Sequence, residues 1–373
     1  MNNNDPLCLT TRHFLPQWGL EHLGVRTYLS TRRGGVSEGA YGSLNLGLHV
    51  GDMPERVAQN RQIYAQLLGA SPVFLNQVHG CRVLELIGPA PVTRSTSASA
   101  LDTTPPESAD AAWTQQRGVA CTMMVADCMP VLLADSWGRA VAAVHVGWRG
   151  LVGLRTTKVA HELEASGGVI AQSLQALRLR LFPPASRPPH AAPQPVIFAW
   201  LGPCIGPTAF EVGPEVRAWF VERCADNARA FKPSAFHAGK WMAHLPGLVQ
   251  LELERLGVQR LFGNLAQMHT PTQPQVPDPW CTVTNTEDFF SYRRQGVCGR
   301  FAASIWLDEP QPQPPPKPQP QPPFEPRQAV VGSRPTRIDF EQRLWRQASK
   351  KWLQLLRYSF FLRLEGLFGL GFC

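Results

Sequence analysis

The chain contains no run of about eighteen apolar residues, the length a helix needs to cross a bilayer. Its most apolar stretch, residues 118–134, carries Asp127 in the middle. Nor is there a Cys-x-x-Cys pair. The nine cysteines are scattered from end to end, which excludes a dense disulfide scaffold and fits reduced thiols in a cytoplasmic protein. The opening residues have no basic segment followed by an apolar one, so no secretory signal is expected. The G-x-x-x-x-G-K-[ST] phosphate loop, G-x-G-x-x-G and H-E-x-x-H are all missing. The zinc-deaminase signature is missing too, because Pro203-Cys204 has no second Cys at the required spacing. Ten histidines form no H-x-H pair, so the usual histidine-rich cluster of a multicopper oxidase has nothing to build on. Residues 35–39 do match G-x-S-x-G, but a turn-like, Gly-rich stretch follows where a nucleophile elbow needs a helix.

What is present is apolar enough to fold and long enough for about two domains: 373 residues, 44% hydrophobic. Proline is abundant, at 35 residues, and concentrated. After Leu307 the sequence becomes EPQPQPPPKPQPQPPFEP, which can only be an extended linker. We divide the chain into a body over 1–307, a Pro-rich linker over 308–333 and a tail over 334–373. In the tail Trp345, Ala348, Trp352, Leu355 and Leu362 recur at helical spacing among Arg343, Arg346, Lys350, Lys351, Arg357 and Arg363. That pattern predicts a basic amphipathic helix fit to dock on a membrane surface or a partner protein. The plainer reading is a dispensable extension that is poorly ordered in isolation. The net charge of +8 divides into +4 over 1–307 and +4 over the last 66 residues. The body is therefore nearly balanced, and no nucleic-acid partner is expected. Residues 88–107 and 182–195, rich in Pro with Ser and Thr or Ala, read as surface loops.

Between these breaks, helical and strand signals alternate, which indicates a mixed α and β body. Residues 72–78 and 82–86 read as strands flanking a His-Gly turn. Residues 118–126, 130–135 and 140–146 are apolar runs of strand length. Asp52, with Pro54 and Glu55 behind it, reads as the N-cap of a helix that carries Val57, Tyr64, Leu67 and Leu68 and stops at Gly69. Residues 150–166, 214–225 and 248–256 are further helix candidates.

Three strand ends each carry a metal-ligating residue type: His79, Cys128 and His145. If the strands neighbour one another, two imidazoles and a thiolate converge. That donor set suits zinc, with a fourth position left for water or substrate. Copper is the alternative ion for the same donors. The competing reading is an ordinary buried thiol and two hydrogen-bonded histidines. Asp127, beside Cys128, would face the other way in a strand and orient a neighbouring group. Gln77, two residues before His79, would share its face. Phe289, Phe290 and Tyr292 are either core or a stacking surface for a flat ring.

The motifs Thr31-Arg32-Arg33-Gly34-Gly35-Val36-Ser37, Ser43-Leu44-Asn45-Leu46, Gly51-Asp52, Asn60-Arg61 and Gln77-Val78-His79-Gly80 stand in order. Ala126-Asp127-Cys128-Met129-Pro130, His145-Val146-Gly147-Trp148-Arg149-Gly150, Gly202-Pro203-Cys204-Ile205-Gly206, Phe289-Phe290-Ser291-Tyr292-Arg293-Arg294 and Gly299-Arg300 follow them. Together, over about residues 12–307, they closely resemble the YfiH-type family. Those proteins were long labelled polyphenol oxidases or laccase-domain proteins and are now described as purine nucleoside phosphorylases with adenosine deaminase activity. The resemblance implies an α+β fold, a mixed-sheet layered sandwich with outer helices. It places the metal ligands and catalytic centre on His79, Cys128 and His145, with zinc as cofactor. It implies that adenosine, inosine or methylthioadenosine is cleaved by inorganic phosphate. Contacts to substrate or phosphate are expected at Arg32, Asn45, Arg61, Gln77, Arg149, Phe290 and Tyr292. A copper-binding polyphenol oxidase and a non-catalytic module that binds a nucleoside or a protein are the alternatives.

Overall fold

The computed structural model describes residues 15–87, 106–156, 161–163, 167–181, 195–265 and 278–310. The loops expected at 88–107 and 182–195 fall almost wholly outside these residues, as do the Pro-rich linker, apart from its first three residues, and the tail helix. The chain divides into two units, Met1–Gln313 and Pro314–Cys373, and every described residue lies in the first.

In chain order, β1 (Val25–Leu29) precedes α1 (Pro54–Leu68), β2 (Ser71–Phe74), β3 (Val83–Glu85) and β4 (Ala111–Thr114). Three longer strands follow: β5 (Val119–Val125), β6 (Met129–Asp135) and β7 (Val141–Val146). Then come α2 (Trp148–Val152), the hairpin of β8 (Leu154–Thr156) and β9 (His161–Leu163), α3 (Val169–Leu181) and β10 (Ile197–Leu201). The last third holds β11 (Glu211–Val212), α4 (Pro214–Arg223), β12 (Phe231–Pro233), β13 (Trp241–Ala243) and α5 (Leu245–Arg255). It ends with β14 (Arg260–Gly263), α6 (Tyr292–Gln295) and β15 (Phe301–Leu307).

Two mixed sheets form the centre. One has the order β1-β15-β5-β2 and the other β14-β10-β6-β7-β4-β3. Parallel pairs occur in both, β2 with β5 and β3 with β4, beside antiparallel ones. The architecture is α+β and layered. Alternation along each strand explains the layers. Leu132, Ala134, Val141 and Ala143 pack between the sheets with Cys121, Met123, Val125, Ala303 and Ile305. Val131, Leu133, Ala142 and Val144 face outward onto Ile170, Leu174 and Leu177 of α3 and Leu248 and Val249 of α5. On the opposite side Ala120, Met124, Ala302 and Trp306 meet Tyr64 and Leu68 of α1. With both faces covered, β5, β6 and β7 are buried throughout, which is why they read as unbroken apolar runs.

The structure departs from the sequence reading at four local points. Asp52 does not cap α1: Met53 holds the N-cap position without a side-chain bond. The Asp52 carboxylate accepts from Ser37 Oγ and Asn45 Nδ2 at 2.6 and 2.9 Å instead. The helix expected over 150–166 is only α2, because Gly153 turns left-handed (φ 75°) and ends it, after which the chain enters a hairpin. Conversely, α3 was not expected. Finally, β2 stops at Phe74, since beyond it Gln77 pairs with β5 through its side chain and not its backbone. Among the described residues no helix is long and apolar enough to cross a membrane.

Candidate metal centre and active-site cleft

His145 lies on the same face of β7 as Val141 and Ala143, so its ring enters the space between the sheets, and it is almost fully buried. Cys128 sits in the turn from β5 to β6, and His79 in the loop after β2. Because β2 runs parallel to β5, and β7 antiparallel to β6, these three places meet at one end of the sandwich. The ligating atoms of His79, Cys128 and His145 all lie within 4.8 Å of one another. Cys128 Sγ is 3.6 Å from His79 Nε2, and the two imidazoles stand nearly edge to face, with centroids 4.8 Å apart.

Asp110 organises this cluster, and sequence reasoning missed it. It is fully buried just before β4. Its Oδ1 accepts from His145 Nδ1 at 2.8 Å and from the His79 backbone N–H at 2.9 Å. Its Oδ2 accepts from the N–H groups of Gly80 at 2.6 Å and Val78 at 3.3 Å. Burial would raise the Asp110 pKa, but the His145 bond and charge and the two backbone donors hold it below the ordinary carboxylate value. The carboxylate fixes the proton on His145 Nδ1 and leaves Nε2 as the ligating atom, the usual arrangement behind a metal-binding imidazole. It also holds His79 in a left-handed conformation, φ 61°, which costs a non-glycine residue about 1–3 kcal/mol. No short motif announces Asp110, because its role comes from contacts some 30 residues away along the chain.

The donors carry the charges a divalent metal needs. Burial opposes ionisation of Cys128, but the His145 charge and hydrogen bonds from both imidazoles pull its thiol down to about 6. His145 is buried as well, yet the Cys128 thiolate and Asp110 raise it to about 9. Each group thus favours the charged form of the other, thiolate beside imidazolium, and a metal cation would take the place of the imidazolium proton. Room for the ligands depends on Gly147. A Cβ there would lie 2.8 Å from His79 Cδ2 and 3.1 Å from Cys128 Sγ. Two imidazoles, one thiolate and a hydrogen-bonded second layer fit a metal ion with an open fourth position.

That open side faces a cleft of about 420 Å³, within the range for small-molecule sites. Met124, Trp148, Ile205, Phe210, Leu245 and Tyr292 supply its apolar wall. Arg149, Arg293 and Arg300 supply positive charge, and His49 adds an imidazole. Of the substrate contacts expected from sequence, Arg149, Gln77 and Tyr292 lie along the cleft. Gln77 is also a structural link: its Nε2 donates to Met124 O at 2.8 Å and its Oε1 accepts from Met124 N at 2.9 Å.

The other four are not among the residues lining the cleft. Arg32 donates to Gly42 O and Thr286 O, and its guanidinium lies over the fully buried Phe290 ring at 4.8 Å. Arg61 donates to Leu46 O and covers Phe74 at 4.0 Å; burial lowers its pKa to about 10. Asn45 is buried and bonds Gly47, Asp52 and the backbone N–H of Arg300. Asp127 lies in a turn (φ 104°), so strand alternation does not govern it. Its carboxylate accepts from Thr282 Oγ1, Ser291 Oγ and Arg293 N at 2.6–2.7 Å, tying the metal loop to the α6 wall. His49, Arg293 and Arg300 were not singled out for this cleft by sequence, although the last two lie in the quoted motifs.

The family model described as multi-copper polyphenol oxidoreductase laccase matches residues 26–178 and 186–308. A Pseudomonas aeruginosa protein named purine nucleoside phosphorylase PA4543 is 38% identical over 285 residues, 76% of this chain and 94% of its own. Purine nucleoside phosphorylase YfiH of Escherichia coli is 37% identical over 295 residues, 79% of this chain and 98% of its own. Among solved structures, Neisseria meningitidis NMB0706 has a TM-score of 0.58 at 40% identity, covering 76% of this chain and 95% of that one. YlmD of Geobacillus stearothermophilus, at 24% identity, shares the fold with a TM-score of 0.57, covering 77% of this chain and 93% of that one.

Proposed function

The chain belongs to the family described as multi-copper polyphenol oxidoreductase laccase, the YfiH-type proteins, and from that premise we propose that it is a zinc-dependent purine nucleoside phosphorylase. Its substrates are adenosine, inosine and methylthioadenosine, which inorganic phosphate converts to the free base and the (thio)ribose 1-phosphate. Adenosine deamination is a second activity of the same cleft. The observation that carries the reading is the His79–Cys128–His145 cluster opening onto a cleft with an apolar wall and three arginines. The relatives' names, as phosphorylases, support the same chemistry.

His79, Cys128 and His145 would hold the metal, and when bound it supplies Lewis acidity at the floor of the cleft. The rest is the work of the chain's own groups. Asp110 keeps the His145 Nδ1 proton in place. Cys128 stays a thiolate. The cationic side chains draw the phosphate dianion out of water by charge-assisted hydrogen bonds. The apolar wall excludes water and accepts the flat purine. The family's laccase description finds no multicopper framework here: among the described residues one His/Cys cluster of this kind is present, and the sequence has no H-x-H pair. The same three donors also bind copper, which would account for an oxidase label without making it the natural role.

The test is a product assay on protein of known zinc content, with adenosine, with and without phosphate, beside Cys128→Ala. Adenine formed only with phosphate and abolished in the variant is the expected result. Inosine formed without phosphate reveals the deaminase step. A folded, zinc-loaded protein that turns over none of the three nucleosides would sink the proposal.

A further inference from the structure

The cleft gathers more positive charge than its own residues neutralise. Arg149, Arg293 and Arg300 border it, with the His49 imidazole beside them. Among the described residues, none of these four makes an ion pair. Asp127, the one carboxylate among the lining residues, is engaged by three donors on the α6 side. The field is felt by His49, whose pKa is lowered by burial and then by Arg300 and Arg61, so that its neutral, hydrogen-bonding form is favoured.

Two of these groups are built onto one pin. Asn45 Oδ1 accepts from Gly47 N and from Arg300 N, both at 2.9 Å. Its Nδ2 donates to Gly47 O and Asp52 Oδ2. One buried amide thus joins the turn that carries His49 to the strand end that carries Arg300. Gly47 leaves room for the Arg300 stem, since a Cβ there would lie 2.8 Å from Arg300 Cγ. Arg300 Nη1 is fixed by donating to Cys298 O and Gly299 O at 2.9 and 3.0 Å. The Arg149 side chain makes no hydrogen bond among the described residues, and its guanidinium lies over Trp148 at 4.4 Å. A planar fork held in place, a second one less constrained and an imidazole fit a tetrahedral oxyanion.

We propose that His49 and Arg300, with Arg149, form the cradle for the phosphate dianion, in place of the motif arginines Arg32 and Arg61. The inference rests on the phosphorylase reading for its substrate, and names the residues that hold it. Asn45 then acts as a positioning residue behind the cradle, without touching phosphate.

The test measures binding directly, so that it does not depend on turnover. Inorganic phosphate is titrated calorimetrically into zinc-loaded wild type, His49→Gln, Arg300→Lys and Arg61→Lys. Adenosine 5′-monophosphate is titrated in parallel, because a nucleotide's phosphate is the other source of the same chemistry. Loss of a charge-assisted bond predicts a roughly ten- to hundred-fold weaker phosphate Kd in His49→Gln and Arg300→Lys, with Arg61→Lys within about three-fold of wild type. The His49 side chain makes no hydrogen bond among the described residues, so its variant keeps the test open if Arg300→Lys folds poorly. In turnover, the phosphate KM rises while the adenosine KM holds. Unchanged phosphate binding in both cradle variants overturns the assignment, as does weakened binding of the nucleotide alone. A protein that binds phosphate through this cradle but cleaves no nucleoside would refute the phosphorylase reading and leave the cradle standing.

Discussion

Asp110 and Gly147 are not themselves donors to the proposed metal, yet the geometry of His79, Cys128 and His145 depends on them. Replacing Asp110 with Asn keeps its size but puts an amide where Oδ1 serves His145 and His79 or where Oδ2 serves Gly80. One backbone donor or the imidazole then faces a donor. We expect Asp110→Asn to weaken zinc affinity by about 10- to 100-fold, measured by competition with a chelator of known affinity. Gly147→Ala should do the same by crowding His79 and Cys128, while its circular dichroism stays that of wild type. Wild-type affinity in both variants would mean that the ligands hold themselves. These two residues also mark the limit of reading at this scale. His79, Cys128 and His145 each stand at the end of an apolar run, but that pattern fits an ordinary buried thiol and two hydrogen-bonded histidines as well, and it is the family resemblance that singles them out as a set. Arg32 and Arg61 stand in the motifs but lie over Phe290 and Phe74 and outside the cleft lining, and no linear pattern distinguishes an arginine over an aromatic ring from one along a cleft.

At the scale of elements, burial on both faces made β5, β6 and β7 recognisable as strands, and Pro214 and Gly69 marked a helix start and a helix end correctly. α3 escaped because it begins behind Gly167-Gly168, which reads as a break. In the fold that break is a close crossing: a Cβ on Gly168 would collide with the Leu151 carbonyl of α2. α5 carries a device that the sequence hides. His244 precedes Leu245-Pro246 and caps the helix by accepting from Gly247 N at 3.1 Å through Nδ1. An imidazolium cannot accept that bond. Burial first, and then Lys232, lowers the His244 pKa to about 4, although a bond with its own backbone opposes this. The folded-state value lies below the unfolded 6.5, so the neutral form's contribution is complete above pH 6.5. It is lost as pH falls from 6.5 towards 4, by on the order of 3 kcal/mol at most. His244→Asn caps without titrating. Urea melts at pH 7.5 and 4.5 should show wild type losing more stability than this variant between the two pH values. Equal losses would place the acid sensitivity elsewhere.

At the scale of the whole molecule, the metal cluster joins segments that the chain keeps apart. His79 follows β2 of the four-stranded sheet, Cys128 lies where the chain passes from that sheet to the other, and His145 ends β7 of the six-stranded sheet. An ion held by all three therefore binds the assembled sandwich and not the unfolded chain. By mass action, a thousand-fold excess of metal over its Kd stabilises the folded state by about 4 kcal/mol. For a body of this size that is a rise in Tm on the order of 10 °C. Melting should therefore shift upward with zinc and fall back with a chelator, in the unfolding of the body as one unit. Cys128→Ala should melt at one temperature in both solutions, close to the chelated wild type, because the sheets still pack through Leu132, Val141, Met123 and Ile305. A wild-type Tm indifferent to zinc and chelator would mean that the folded cluster holds no zinc in preference to the unfolded chain, and would sink the zinc assignment. The three donors would then be hydrogen-bonded to one another and to Asp110 as an ordinary part of the core, with Asp110 holding the left-handed His79.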